Sequence, residues 1–175
     1  PAVFMDSYME SAVRELLGAD SEDVLYTDEL WDITEFTVPE EVTIFEDLAL
    51  LPQLQKLTIH NNSIGTLAYL SNLAALTELD LSGSRFPAED LSVLANLPNL
   101  TTLTMDNCGL STIAAMTDLQ HLTHLDLSNN TIRNLTPLSG LTSLQSLNLG
   151  HNALNTLDAL SGLTDLQALD ICYNV

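Results

Sequence analysis

The chain has 175 residues, of which 46% are hydrophobic and 16% charged, a composition that favours a folded chain with one core. Its 24 acidic and four basic residues give a formal net charge of −20, which argues against nucleic acid and anionic membranes as partners, because both bind mainly lysine and arginine. The sequence contains no apolar run of about 18 residues, so we predict no membrane insertion.

The acidic residues are concentrated near the start of the chain. Residues 1–50 contain 14 acids and one base, Arg14, whereas residues 51–175 contain ten acids and three bases. Six of the nine aromatic residues also fall in the first 46 positions. Two regions of different chemistry therefore meet near residue 50. Because a degenerate repeat fits residues 30–50, we expect an acidic helical cap over residues 1–29 and an array of repeats over residues 30–175.

A helix is predicted from Ser7 to Leu17. Ser7 and Glu10 have the spacing of a capping box, and Gly18 stands where a C-cap is expected. The apolar residues that recur at helical spacing are expected to face the repeats: Met9, Ala12, Val13, Leu16 and Leu17. A helix of this kind would cover the first repeat, which would otherwise expose its apolar side to water.

From residue 51 onward, leucines recur with a period of 22 residues. Repeats begin at residues 51, 73, 97, 119, 141 and 163, and residues 30–50 fit as a degenerate first turn. The repeat from residue 73 has 24 residues, and Pro87 within FPAEDL predicts a longer helical segment there. The last repeat stops at Val175 before its return stretch, so we expect the sequence to break off within a repeat.

Each repeat contains two kinds of apolar stretch. Alternating leucines in LTI at 57–59 and LDL at 125–127 predict a strand with one buried face. The spacing of three in IRNLTPL at 132–138 suits a 3₁₀ or short helical return on the opposite side. Since one repeat cannot bury its leucines alone, the repeats are expected to stack and share one elongated core.

A polar position follows each predicted strand where the chain bends inward. Asparagine occupies it in four repeats, at Asn62, Asn130, Asn152 and Asn174. A buried amide must be hydrogen bonded, so we expect these side chains to bind backbone groups of adjacent repeats. Ser84 and Cys108 take this position in the other two repeats, where we expect a looser ladder of bonds.

The pattern LxxLxxLxLxxNxLxxLxxLxx over residues 51–175 resembles the leucine-rich repeat family in its 22-residue form. The segment FMDSYMESAVRELLG at 4–18 is similar to the helical cap of internalin-like bacterial surface and secreted proteins. The resemblance implies an α/β leucine-rich repeat solenoid, with a parallel sheet on its concave face, 3₁₀ or short helical segments on its convex face and a helical N-terminal cap. It also implies a non-enzymatic protein-interaction module at the bacterial cell surface or outside the cell.

A constellation for catalysis is not found in the sequence. The four histidines fall on different repeats or faces, without the spacing of zinc ligands: His60, His121, His124 and His151. Cys108 is expected to be buried and Cys172 exposed, three repeats apart and beyond the reach of a disulfide. We therefore predict no catalytic residue, no cofactor and no metal site.

Binding is better supported, because the concave face of a solenoid displays its polar strand residues. The candidate partner-binding residues on this face are Thr58, His60, Glu78, Asp80, Thr104, Asp106, His124, Asp126, Asn148, Asp170 and Tyr173. Their acidic members form a stripe suited to a protein partner with a basic surface. A second interpretation is that the stripe only keeps the strands in contact with water, since the face has few large aromatic or arginine side chains.

Two other functions remain open. Phosphatase-regulating leucine-rich repeat proteins share the 22-residue repeat, so the chain could be a cytoplasmic adaptor or regulatory subunit. A signal peptide before Pro1 would exclude that alternative. The chain could also be an accessory domain of a larger enzyme, which a hydrolase signature after Val175 would support.

Overall fold

Seven short parallel strands lie side by side in chain order in the computed structural model, which describes all residues 1–175. Strands β1 to β7 are Glu35–Val38, Lys56–Ile59, Glu78–Asp80, Thr102–Thr104, His124–Asp126, Ser146–Asn148 and Ala168–Asp170. Each strand pairs only with the strands of adjacent repeats. The predicted leucine-rich repeat solenoid is confirmed, and the degenerate turn at 30–50 supplies its first strand.

Equivalent leucines of successive repeats lie opposite each other in the sheet. Leu57 pairs in register with Leu79, and Leu79 pairs with Leu103, so the repeat period sets the strand register. These leucines belong to one core cluster of 45 buried residues that runs the length of the molecule. The alternate strand residues point to the opposite face of the sheet, where they form the polar concave surface.

The chain returns from each strand through short 3₁₀ segments on the convex side. These are Glu29–Asp32, Phe45–Leu50, Leu67–Leu70, Ala88–Asn96, Ala114–Met116, Thr136–Leu138 and Asp158–Leu160. The segment after Pro87 has nine residues, as expected for the longer repeat. The first segment begins at Glu29 and so spans the predicted boundary between residues 29 and 30. The division into a cap at 1–29 and an array at 30–175 stays a prediction.

Asparagine amides tie adjacent repeats together, as Asn130 illustrates. Its Nδ2 donates to the carbonyls of Met105, Leu127 and Ser128, each at 2.9 Å. Its Oδ1 accepts the Leu110 N–H at 2.9 Å. All the hydrogen-bonding groups of this buried amide are thus satisfied by backbone, as the sequence predicted.

Ser84 and Cys108 each keep a bond to the preceding repeat but make fewer bonds than Asn130, as expected of the looser ladder predicted at these positions. The Ser84 hydroxyl donates to the Ile59 carbonyl at 2.7 Å and accepts the Asn62 N–H at 3.1 Å. Cys108 Sγ lies 3.1 Å from the Leu81 carbonyl, to which its thiol donates. Burial raises the pKa of this thiol to about 12, so the proton needed for that bond is retained.

Helix α1 spans Ser7–Leu17, as predicted, but its N-cap is Asp6 and not Ser7. Asp6 Oδ1 accepts the Tyr8 N–H at 2.9 Å and the Met9 N–H at 3.2 Å. Glu10 does not complete a capping box, because its carboxylate binds Arg14 at 2.7 Å. The helix ends as expected at a left-handed glycine, Gly18, with φ of 66°.

The apolar stripe of α1 is only partly used for packing. Met9 and Val13 are fully buried, but Leu16 is 55% exposed and Leu17 is 37% exposed. The prediction that all five stripe residues face the repeats is therefore wrong for these two leucines. The last turn of the helix extends past the surface that it covers, and Leu16 lines an open groove beside β1.

Candidate functional site

The residues that alternate with the buried strand leucines form a row across the concave face. Register pairs Thr58 with Asp80, and further along it pairs Thr104 with Asp126, Asp126 with Asn148 and Asn148 with Asp170. The structure therefore places these predicted binding residues on one continuous surface. Hydrogen bonds divide the predicted set into separate groups along that surface.

One group lies at the β2–β3 end of the face. His60 Nε2 is 2.9 Å from Asp80 Oδ2, while Asp80 Oδ1 accepts the Ser82 N–H at 2.9 Å and its hydroxyl at 2.6 Å. Burial raises the pKa of Asp80, but the hydrogen bonds from Ser82 and His60 outweigh it and hold the pKa below its usual value. Asp80 is thus a fixed, ionised carboxylate near neutral pH.

Lys56 is the only lysine or arginine within the seven strands. Its ammonium lies 3.3 Å from the Glu78 carboxylate and 3.9 Å from that of Glu35. The three side chains border a shallow depression of about 250 Å³ that also includes Thr58 and Thr104. Because two carboxylates flank this single base, the depression keeps an excess of negative charge.

A second group connects three repeats in the middle of the face. The Ser128 hydroxyl lies 2.5 Å from Asp126 Oδ1 and 3.1 Å from Asp106 Oδ1. Asn129 donates to Asp106 at 2.7 Å, and Asn148 donates to Asp126 Oδ2 at 2.9 Å. These contacts orient two carboxylates whose charges would otherwise drive them apart.

The remaining candidates do not join either group. His124 Nδ1 contacts the hydroxyl of its neighbour Thr123 at 2.9 Å. Asp170 accepts the Cys172 N–H at 2.8 Å, and hydrogen bonds from Cys172 lower the pKa of Asp170. Tyr173 is 76% exposed and stacks on His151, with ring centroids 4.2 Å apart.

Ser82, Ser128 and Asn129 were not among the predicted site residues, although they orient the carboxylates. A signal for two of them is present, because Asp-x-Ser occurs at residues 80–82 and 126–128. An aspartate that accepts the N–H two residues later forms an Asx turn, which the short motif predicts. Asn148 makes the same turn with the Gly150 N–H at 3.0 Å.

The polar groups of the face are carboxylates, amides, hydroxyls, imidazoles and the Lys56 ammonium. Nowhere in the chain do three histidine, cysteine or acidic side chains come close enough together to hold a metal ion. Cys108 and Cys172 are free thiols. None of the helices combines the length and apolar character needed to cross a lipid bilayer.

The stacked strands, 3₁₀ returns and asparagine ladder define a leucine-rich repeat protein. The family model described as leucine rich repeats (2 copies) matches residues 98–140 and 120–162. No curated protein matches the sequence significantly.

Internalin C2 of Listeria monocytogenes is 32% identical with a TM-score of 0.86, and the match covers 98% of this chain and 76% of that one. The chain therefore belongs to the internalin-like leucine-rich repeat family. The internalin InlF of the same organism is 27% identical with a TM-score of 0.78, and the match covers 98% of this chain but spans 57% of that protein's length. A leucine-rich repeat protein of Leptospira interrogans, 20% identical with a TM-score of 0.62, shares the fold over 77% of this chain and 41% of its own.

Proposed function

We propose that the chain is a non-enzymatic protein-interaction module of a bacterial cell-surface or secreted protein. It binds a protein partner with a basic surface through the acidic concave face. Membership of the internalin-like family supports a role in protein binding, and the similarity of the cap to surface and secreted members supports the location.

The hydrogen-bonded group around Asp106 and Asp126 carries the proposal. Ser128 and Asn148 hold these carboxylates in place before any partner arrives, so binding would lose little side-chain entropy at this surface. Fixed carboxylates on a chain of net charge −20 attract basic side chains and steer their approach. A face of this kind favours a partner that presents lysine or arginine.

Replacing Asp80 and Asp126 together by asparagine would test the face with little change to the fold. Asparagine keeps the Oδ1 acceptor that the turn requires, as Asn148 shows within the same sheet, and at Asp126 only the bond from the Asn148 amide to Oδ2 is lost. The matched control is Asp118→Asn with Asp165→Asn, which removes two charges from exposed positions outside the strands. The two double variants have the same net charge, so any difference between them reports the location of binding.

The measurement is a pull-down of cell-surface proteins with the immobilised chain at low and high salt, followed by affinity titration of each captured protein. We expect the Asp80 and Asp126 double variant to bind about tenfold more weakly, and the control to change by about twofold or less. Higher salt should weaken binding to the unchanged chain. Equal weakening in both variants would contradict binding at the concave face.

A further inference from the structure

An open groove separates helix α1 from the first strand of the sheet. It has a volume of about 690 Å³ and lies next to the depression around Lys56, with which it shares residues of β1. Its lining residues are Ala12, Glu15 and Leu16 on the helix and Glu35, Phe36, Thr37 and Pro39 on the strand side. It is thus a surface of the cap, distinct from the acidic group around Asp126.

The backbone along the strand side of this groove is unpaired. Strand β1 is the edge of the sheet, and the Lys56 N–H donates to the Thr34 carbonyl at 3.0 Å. In a parallel sheet, alternate residues of a strand bond to opposite neighbours. The bond at Thr34 means that Phe36 bonds to β2, while the N–H and C=O groups of Glu35 and Thr37 point away from β2 into the groove. No protein group bonds to them there, so the groove exposes a template for one more strand.

The side chains around the groove specify what that strand would carry. Leu16 is 55% exposed although it is apolar, and it lines the groove together with Ala12 and Phe36. Glu15 and Glu35 border the same space with carboxylates. Successive side chains of a strand point to opposite faces, so one set would meet Leu16 and the other would meet the carboxylates.

We propose that this groove binds an extended segment of a partner protein, added to the sheet beside β1, in which basic and apolar side chains alternate. The backbone of Glu35 and Thr37 supplies the hydrogen bonds, and Leu16 supplies the apolar contact. A second copy of this chain is the poorer occupant, because residues 1–50 carry 14 acids and one base and would repel each other. The inference rests on the proposed function only in taking the partner to be a protein.

The probe is a synthetic peptide of about eight residues with alternating lysine and leucine, long enough to pair along β1. Two further versions of this peptide are N-methylated: one at the amides of the odd-numbered residues and the other at those of the even-numbered residues. Each methyl group removes one N–H donor. A peptide of alternating glutamate and leucine tests the charge. Calorimetry on the full 175-residue chain gives the affinities, and amide NMR locates the bound peptide.

We expect the lysine–leucine peptide to bind in one-to-one ratio and to slow hydrogen exchange at the Thr37 amide. One of the N-methylated versions should bind about tenfold more weakly than the other, because only one set of amides faces β1. The glutamate–leucine peptide should not bind detectably. Equal affinities of the two N-methylated peptides, or no binding of the lysine–leucine peptide, would overturn the proposal.

Two variants test the groove from the side of the protein. Leu16→Ser should weaken peptide binding about tenfold, whereas Val24→Ser, at a cap residue of similar exposure, 56%, should leave it unchanged. Thr37→Pro removes the N–H that faces the groove without breaking the ladder to β2, and should weaken binding similarly. Equal effects of Leu16→Ser and Val24→Ser would exclude the groove as the site.

The same titrations separate this proposal from the proposed function. Peptide-induced shifts confined to Asp106 and Asp126 would exclude the groove and leave binding at the concave face standing. If instead the asparagine variants of Asp80 and Asp126 bind captured proteins normally while the peptide still occupies the groove, the concave face fails and the groove stands. Self-association that Thr37→Pro abolishes would identify a second copy as the occupant and overturn the proposal.

Discussion

Asp6 and Asp47 hold the helical cap to the first repeat by exchanging backbone hydrogen bonds. Asp6 Oδ2 accepts the N–H groups of Thr43 at 2.9 Å and Ile44 at 3.1 Å. In return the Asp47 carboxylate accepts the N–H groups of Met5 at 2.9 Å and Asp6 at 2.8 Å. Both aspartates are buried, so each carboxylate supplies the hydrogen-bond acceptor for backbone N–H groups that water cannot reach.

Asp47→Ala is expected to lower the free energy of unfolding by about 2–3 kcal/mol, because it leaves the N–H groups of Met5 and Asp6 without an acceptor. Urea denaturation at neutral pH measures the change. The control is Asp28→Ala, an exposed cap residue without a side-chain capping bond, which should change the value by about 0.5 kcal/mol or less. A similar loss in both variants would mean that the exchanged bonds do not stabilise the cap.

Stability should fall with acid in a way that depends on Asp6. Burial raises the pKa of Asp6, but the N–H groups of Thr43, Met9, Ile44 and Tyr8 outweigh it and hold the pKa below the model-peptide value of 3.8. A lowered folded pKa gives stability that is present above 3.8 and is lost as the pH falls through the folded value. Urea titrations between about pH 5 and pH 2 should show this loss, and it should be smaller in Asp6→Ala.

The repeat period predicted the strands and their register, because a leucine every 22 residues leaves one way to stack neighbouring turns. The bounds of α1 also followed from the sequence. The true N-cap did not, because Asp6 and Ser7 are both preferred N-cap residues, and the bonds that also hold Asp6 come from Thr43 and Ile44, 37 and 38 residues away. The exposure of Leu16 was missed because a helical stripe does not indicate how much surface lies beneath it.

The candidate face was predicted as rows of side chains and not as groups. Alternation in the strands assigns Asp106, Asp126 and Asn148 to the concave side. Their connection depends on the rotamers of Ser128 and Asn129, which strand periodicity does not determine. The sequence therefore predicts which residues lie on this face, but it does not predict which of those residues are in contact.

The ladder asparagines are expected to differ in how much they contribute to stability. Asn130 makes four backbone bonds, one of them from the Leu110 N–H to its Oδ1. Asn62 Oδ1 is buried without a partner. The N–H in the corresponding place, that of Val42, donates instead to the Pro39 carbonyl at 3.2 Å. Asn130→Ser should therefore cost about 2–3 kcal/mol and Asn62→Ser about 1 kcal/mol or less. Equal urea midpoints for the two variants would contradict this ranking.

Gly83 occupies a left-handed position that asparagine takes in neighbouring repeats. Its φ is 73°, and an added Cβ would overlap the side chain of Asn61. Gly83→Ala should therefore lower the free energy of unfolding by about 1–2 kcal/mol. Gly65→Ala is the control, since nothing lies within 4 Å of its Cβ position, and it should be neutral or slightly stabilising in the same thermal or urea titration.

The longer repeat between β3 and β4 adds its two residues without shifting the sheet. Glu78 still pairs with Thr102 in the same register as its neighbours, and the extra length is taken up by Ala88–Asn96. Insertions can therefore accumulate on the outer curve of the molecule while the inner surface keeps the same alignment of side chains. Evolution can therefore change the length of the repeats on the convex side and the binding residues on the concave side, and each change has little effect on the opposite side.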